Sequence, residues 1–450
     1  TSLNGYIPQS ELGTIIFTTA DSNTAETLAS PDIVELQEMT PRAAQRMLEK
    51  HLDNPALANE QAETTILLKE LSYLPLAIVQ AAAYLSINKK TTMKEYLELL
   101  YEQKKEVMEL SDEESGVQLQ HRNISYPVAA TCLASFKQVR DNDPLATDCL
   151  FFTACIDRKD IPLDLLPTVS SLETKNSVET LKNYALITKL PAESAVDIHR
   201  LIHLAIRKWL QAQKLLDKWT QTTITRLVKK FPNYDHGNRS KWRRFLPHAK
   251  YALANSLSGQ EDEARINLAE KCALTLVTDG RYNEAEELFV QVMETRKRVL
   301  GAEHPDTLAS MANLASTYSN QGRWKEAEEL EVQVIKTIKR VLGAEHPFTL
   351  TSMANLASTY SNQGRWKEAE ELVVQVMETI KRVLGAEHPS TLTSMANLAY
   401  TWKSYGRNAD AVQLMEDCIQ NRRRVLGPDH PETLSSLSTL SNWRKKSAPS

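Results

Sequence analysis

Apolar residues recur at spacings of three and four through the last third of the chain, and the pattern itself returns every 42 residues. Leu308, Met311, Leu314, Ala315 and Tyr318 form one such face, which is the signature of an amphipathic helix. A second helix is predicted from Trp324 through Ala327, Leu330 and Val334 to Leu342. Between the two, Asn320-Gln321-Gly322 breaks the pattern. The first helix starts at a His-Pro-x-Thr-Leu step, where Pro is tolerated because its missing N–H is not needed. Gly343 is expected to stop the second by taking a left-handed conformation just past the helix end.

Gly280, Gly322, Gly364 and Gly406 each precede an Arg, and His304-Pro305, His346-Pro347, His388-Pro389 and His430-Pro431 keep the same spacing. Segments 301–342 and 343–384 differ at only five positions: Asp306/Phe348, Ala309/Thr351, Glu331/Val373, Ile335/Met377 and Lys336/Glu378. Units of this length cannot bury an apolar face alone and must stack. Leu268-Ala269-x-x-Cys272-Ala273 begins the first copy, Leu434–Trp443 caps the last, and Lys445–Ser450 is expected to be disordered.

Upstream the periodicity changes. Residues 12–19 form a β-branched apolar run suited to a buried strand, followed by a short helix over 24–29. Thr40-Pro41 starts a helix with Ala44, Met47, Leu48 and Leu52 on one face. A further helix covers 64–71, and Leu74-Pro75-Leu76-Ala77 opens another that reaches about Ile87. Residues 103–127 are charge-rich, contain Gly116, and read as a linker with a frayed helix.

From 128 to 212 the order is a helix at 146–156, the run Ile161–Leu166, and a helix carrying Val178 and Leu181. A strand at 185–188, a turn at 191–194, a strand at 196–199 and a helix over 200–210 complete it. Helix, helix, strand, turn, strand, helix is a small winged-helix pattern. Residues 213–275 read as helical, with Trp219, Trp242, Phe245, Leu246, Pro247 and His248 anchoring them against the repeats.

Bulk properties narrow the function. A length of 450 residues suggests about three domains. The net charge of −4 announces no nucleic-acid footprint, and the helix near 176–184 carries only Lys182 beside Glu173 and Glu179, unlike a DNA-reading helix. The longest apolar run, Leu74–Leu85, is short and interrupted by Gln80, so no membrane span is expected. Five Cys (132, 149, 155, 272, 418) form no close pairs, which fits free thiols in a reducing, cytoplasmic compartment. The chain begins at Thr1 with no leader, and a missing true N-terminus is the expectation. No Ser/His/Asp or Cys/His arrangement stands out for nucleophilic catalysis. The four His of the His-Pro steps fall one per repeat, about 10 Å apart at helix-stacking distance, too far to share a metal. They read as structural turn residues.

Several motifs carry a family resemblance. Leu314-Ala315-x-x-Tyr318 followed by Gly322-x-Trp324-x-x-Ala327 resembles the tetratricopeptide signature of large, small and aromatic positions. That family's usual period is 34, and Lys339 stands where it places a closing Pro. The longer unit, with Leu-Gly-x-x-His-Pro between copies, is similar to the kinesin-light-chain type. The first helices present Ser310, Asn313, Thr317 and Asn320, then Ser352, Asn355, Thr359 and Asn362, with Asn397 in the next copy. In kinesin-light-chain-like arrays the matching Asn clamps the backbone of an extended peptide, a task suited to a side chain that both donates and accepts.

The upstream half resembles an NB-ARC module, the nucleotide switch of NOD-like receptors. Thr18-Thr19 looks like its phosphate-sensing segment, although Ala20 replaces the sensing Arg. Leu74-Pro75-Leu76-Ala77 looks like its G-L-P-L-A motif, whose Pro packs on adenine, with Tyr73 in place of the Gly. Ile198-His199-Arg200-Leu201 looks like its M-H-D motif, whose His contacts the β-phosphate of ADP, with Arg200 in place of the acid. A G-x-x-x-x-G-K-[S/T] loop and a strand ending in paired carboxylates for Mg²⁺ do not occur, so this chain is not expected to hydrolyse nucleotide.

Nearly all the chain thus resembles the C-terminal part of a fungal-type NOD-like (STAND) receptor. The implied fold is mainly α: a solenoid of tetratricopeptide repeats after a winged-helix domain and the tail of an α/β nucleotide-binding domain. The implied domains are an NB-ARC remnant (1–30), a helical subdomain (31–110), a linker (111–127), a winged helix (128–212), a helical connector (213–262) and the repeats (263–445). The implied function is non-catalytic: the repeats take a protein or peptide ligand. ADP or ATP, slow hydrolysis and self-assembly belong to a full-length parent; neither nucleic acid nor membrane is an expected partner. The rival reading is a kinesin-light-chain-like cargo adaptor, which a heptad coiled coil would favour; residues 1–130 contain none.

Overall fold

A computed structural model describes residues 39–112, 122–190, 194–254 and 263–447, with Thr24 and Glu26. The strand expected at 12–19, including Thr18 and Thr19, lies outside the described residues. The chain divides into two compact units, residues 1–135 and 136–450.

In the first unit, α1 (Pro41–His51) begins as its sequence requires: Pro41 occupies the first turn and Thr40 Oγ1 accepts from the Ala43 N–H at 3.3 Å. A 3₁₀ turn (Pro55–Asn59) leads to α2 (Gln61–Glu70), α3 (Pro75–Ile87) and α4 (Met93–Asp112). Helix α3 is covered on nearly every side, burying Ala77, Ile78, Ala81, Ala82, Tyr84 and Leu85. Its one buried polar side chain, Gln80, accepts from Thr131 Oγ1 at 2.7 Å. Thr131 lies on α5 (Arg122–Asn142). The expected frayed linker is therefore shorter than the 103–127 read from charge: α4 runs to Asp112 and α5 starts at Arg122.

The second unit starts with α6 (Pro144–Thr153), capped by Asp143, and α7 (Ser171–Asn183), closed by a Ser170/Glu173 capping box. Strands β1 (Ile161–Pro162), β2 (Ile187–Lys189) and β3 (Ala195–Ile198) make an antiparallel sheet in the order β1-β3-β2. Ile161 pairs with Val196 and Ile187 with Ile198. Helix α8 (Arg200–Ala212) follows. Phe136, Phe151 and Trp209 form an aromatic cluster with centroids 4.8–5.7 Å apart. Trp219, on α9 (Leu216–Lys230), packs on Phe151 with ring centroids 5.3 Å apart.

Helix α10 (Arg239–Ala254) buries Trp242, Phe245, Leu246 and His248 and ties the sheet to the repeats. Arg244 holds Asp160 at 2.7 Å on one side, while Arg239 and Arg243 hold Asp279 at 2.9 and 2.5 Å on the other. The repeats then run as helix pairs: α11 (Glu263–Thr278) with α12 (Tyr282–Leu300), α13 (Pro305–Asn320) with α14 (Trp324–Val341), α15 (Pro347–Asn362) with α16 (Trp366–Leu384), and α17 (Pro389–Ser404) with α18 (Asn408–Val425). A last helix, α19 (Pro431–Ser447), covers the end. It continues through Lys445, Lys446 and Ser447, three of the residues expected to be disordered.

One ladder joins successive repeats and a second recurs within each 42-residue unit. The guanidinium groups of Arg323, Arg365 and Arg407 sit 4.1–4.4 Å from the rings of Tyr318, Tyr360 and Trp402. From there they reach back to Glu286, Glu328 and Glu370 of the preceding unit at 2.6–2.8 Å. A second ladder pairs Arg340 with Glu303, Arg382 with Glu345 (2.8 Å) and Arg424 with Glu387 (2.7 Å).

Each repeat turns on two glycines of different kinds. Gly322, Gly364 and Gly406 lie at φ +79°, +78° and +90°. The next residue's N–H closes back five residues, as from Arg365 to Tyr360 O at 2.9 Å, which satisfies the helix-end carbonyls. Gly343, between repeats, takes the positive φ expected of it, at +96°. Gly301 and Gly385 stand at φ/ψ of +92°/+160° and +94°/+163°, a region essentially closed to any side chain.

Gly385→Ala is expected to cost about 1–3 kcal/mol. Gly364→Asn should cost less, because Asn tolerates positive φ near the left-handed helical region. Thermal melts of the two variants followed by circular dichroism compare them; equal melting points would contradict the distinction.

Candidate ligand groove

From the second repeat on, each first helix, and the last helix α19, begins with a histidine cap. His304, His346, His388 and His430 accept through Nδ1 from the N–H two residues on, at 3.1–3.3 Å. This occupies the orphan donors that open the helix and makes these residues structural. His199 does the same for α8, accepting from the Leu201 N–H at 3.2 Å. It remains exposed, and burial of part of its ring, then the nearby Arg158 and Lys159, push its pKa below the ordinary histidine value. Neutral and with Nδ1 accepting, its ring carries the proton on Nε2. Pro75 is the exposed first residue of α3. Ser72 and the following Tyr73, both at φ +53°, complete the turn before it.

A cleft of about 400 Å³ lies between α15 and α17, floored by Val373 and Val376 of α16. Asn355 and Asn397 line it, as do Ser358, Ser361, Tyr400 and Ser404. Neither asparagine amide has a hydrogen-bonding partner within the chain among the described residues. Asn313, one repeat earlier, donates to Glu270 Oε1 at 3.3 Å; the residues matching Glu270 in later repeats are Ala312 and Ala354, which leaves the later amides free. Asn320 and Asn362 are exposed at the ends of their helices.

Thr317 and Thr359 correct the expected helix face. Both are 1 % exposed, and Thr317 Oγ1 donates to its own Asn313 carbonyl at 2.9 Å. Ser310 and Ser352 are buried too. The cleft takes Ser358 from α15 and both Tyr400 and Thr401 from α17, so the position of Thr359 and Thr401 meets a groove from the later of its two helices.

Glu331 was legible only as one of the five differences between two copies. It occupies an interior position that is Phe289, Val373 and Met415 in the other repeats, and it is 3 % exposed. Burial pushes its carboxyl up to about 7, opposed by the neighbouring Thr359 hydroxyl and aided by the charge of Glu328. Its Oε2 and the Thr359 Oγ1 are close, yet neither makes a well-formed hydrogen bond. In the matching positions the hydroxyls of Thr317 and Thr401 are tied to backbone carbonyls at 2.9 and 3.0 Å.

The buried cysteines Cys132, Cys149, Cys155, Cys272 and Cys418 are all free thiols. Among the described residues no helix is long and apolar enough to cross a membrane.

Because the folded state raises the Glu331 pKa, it favours the protonated form. Stability is full below about pH 4.5, falls as pH rises toward about 7, and is flat above. The total loss is about 3 kcal/mol. Glu331→Val should remove this slope, so that the variant gains on the parent between pH 4.5 and 8 in urea unfolding. Parallel pH profiles for the two chains would show that Glu331 titrates as an ordinary surface carboxyl.

Comparison with known proteins agrees with this architecture. The tetratricopeptide repeat family matches residues 264–338, 349–390 and 391–432. A nucleotide-binding leucine-rich repeat (NLR)-like protein of Hyaloscypha variabilis is 36 % identical over 318 residues, covering 69 % of this chain and 32 % of that protein. The chain therefore spans about a third of its relative's length. A kinesin-light-chain-type protein of Podosopora anserina with nearly identical TPR-like repeats is 29 % identical over 46 % of this chain and 96 % of its own, with a TM-score of 0.39. A STAND protein of Pyrococcus horikoshii with a tetratricopeptide repeat sensor aligns over 92 % of this chain and 64 % of its own at 10 % identity, with a TM-score of 0.27. By its 42-residue units and these matches, the C-terminal array is a tetratricopeptide-repeat solenoid, carried on a chain related to an NLR-like protein.

Proposed function

We propose that the repeats are the sensor of a NOD-like receptor and take an extended protein or peptide segment along their first helices. Repeats of this family bind protein partners as a rule, and the architecture is typically non-catalytic. The observation that carries the reading is the cleft between α15 and α17, whose Asn355 and Asn397 amides have no partner within the chain among the described residues. An amide both donates and accepts, which matches the alternating N–H and C=O groups of an extended backbone. Uncharged Ser358, Ser361 and Ser404 around them leave the site indifferent to the sign of the ligand's charge.

The upstream part is read as the end of an NB-ARC module that holds the full-length receptor in a nucleotide-bound closed state. Three features support it: the relationship to the NLR-like protein, the Leu74-Pro75-Leu76-Ala77 helix start, and the antiparallel sheet leading into His199. On this reading residues 128–212 are the winged helix. The residues present fit a phosphate: the exposed His199 offers an Nε2–H donor, with Arg158 and Lys159 nearby supplying positive potential. Pro75 would supply an apolar surface for adenine. Thr18 and Thr19 would complete the phosphate contacts by resemblance. ADP, when bound, would act as a ligand that holds the closed state rather than as a reactant. Assembly of the full-length receptor with itself and a cytoplasmic location follow from the same reading.

The groove is tested with the 450-residue chain and a library of fluorescein-labelled nine-residue peptides. Changing Asn313, Asn355 and Asn397 together to Ala should weaken binding at least about tenfold, with helicity unchanged by circular dichroism. Unchanged binding would move recognition to the outer face or the loops. Binding by no peptide would leave the array a scaffold.

A further inference from the structure

We propose that Glu331 makes the groove between α13 and α15 a receptor for a basic side chain, so that the preferred ligand presents a lysine or arginine at this repeat. The inference rests on the groove reading above and adds its specificity.

The near-identical repeats act as an internal control. Val373 floors the cleft between α15 and α17, and Glu331 holds the same place 42 residues earlier. An apolar residue stands there in every other copy, namely Phe289, Val373 and Met415. The acid is thus a local addition to an otherwise apolar floor. It has also changed its surroundings: the facing Thr359 hydroxyl is not bonded to its own helix, whereas those of Thr317 and Thr401 are. The rim position is smaller as well, since Ser358 stands where the next cleft has Tyr400.

Where this array buries a charge for structural reasons, it supplies the partner. Arg296 is 8 % exposed and is held by both oxygens of Glu270 at 3.1 and 2.7 Å and by Ser310 at 2.7 Å. Arg422 is held by Ser436 at 2.6 Å and Glu432 at 3.1 Å. Glu331 has no such cation among the described residues. The charged group acting on it is Glu328, which is already taken by Arg365 at 2.7 Å and Gln363 at 2.9 Å. By the 42-residue offset from the next cleft, the positions on α13 and α15 that match its lining include Asn313, Ser316, Ser319, Asn355, Ser358 and Thr359, all uncharged. A buried carboxylate without a counter-charge is costly. A ligand's ammonium or guanidinium would supply what the chain does not, and a neutral side chain would not.

Two pools of fluorescein-labelled nine-residue peptides test this at pH 8 with the full chain. Both are random in uncharged residues; one fixes a central lysine and the other a central norleucine. The lysine pool is expected to bind about tenfold tighter, equivalent to about 1.4 kcal/mol. Glu331→Val, which introduces the residue the next repeat already uses, should bring the two pools to parity while keeping helicity. A lysine preference that survives in Glu331→Val overturns the proposal. Equal binding of both pools, lost on the triple asparagine change, overturns it while leaving the groove reading intact. Binding of neither pool overturns both.

Discussion

Each repeat depends on its neighbour, because two helices of this length cannot cover their own apolar face. The joint that sets one unit against the next is an arginine lying on an aromatic ring of its own repeat and paired with a glutamate of the preceding one. Arg365 on Tyr360, reaching Glu328, is one instance; Arg323 and Arg407 repeat it. Stacking removes rotamer freedom from the guanidinium before it pairs, so less is lost when the ion pair forms. These groups are largely exposed, and the ladder specifies alignment more than it adds stability. The apolar layers beneath, such as Leu308, Met311, Val334 and Ile338, supply the bulk of the energy.

That alignment decides what the groove contains. With the repeats held at one twist, Ser358 of α15 faces Tyr400 and Thr401 of α17, and Asn355 and Asn397 face the same space. The twist also brings position 331 into an interior shared with Thr359. A single exchange between near-identical copies thereby becomes an electrostatic feature, because a carboxyl that would be unremarkable on the surface is held where water cannot solvate it. The first repeat has solved the same problem differently, by pairing Arg296 with Glu270 and so engaging Asn313 in a local network. The copies look alike in sequence and differ in how much polar capacity they leave for a ligand.

The turns show a comparable division of labour. The turn inside each repeat uses a glycine that asparagine could replace, whereas the turn between repeats at Gly301 and Gly385 adopts a backbone closed to other residues. In the first unit the equivalent economy is absent: Ser72 and Tyr73 both take positive φ without being glycine, at the place where the resembling motif has one. That conformation carries strain, and Tyr73 N–H still closes α2 by bonding to Leu68 O at 3.1 Å.

The sequence by itself determined the repeat length, the helix pairs, the His-Pro starts and the glycine ends. All of these are set by contacts within a few residues, and a 42-residue period makes each visible several times over. It also announced helices α6, α7 and α8 and strands β2 and β3, but neither the helix α5 over 122–142 nor the strand β1. The inter-repeat glycine's conformation, the burial of Thr317 and Thr359, the packing of Trp219 on Phe151 and the isolation of Glu331 were decided only by tertiary structure. Each depends on how one element rotates against another, and a period of 3.6 residues leaves neighbouring positions on a helix indistinguishable until a partner helix arrives.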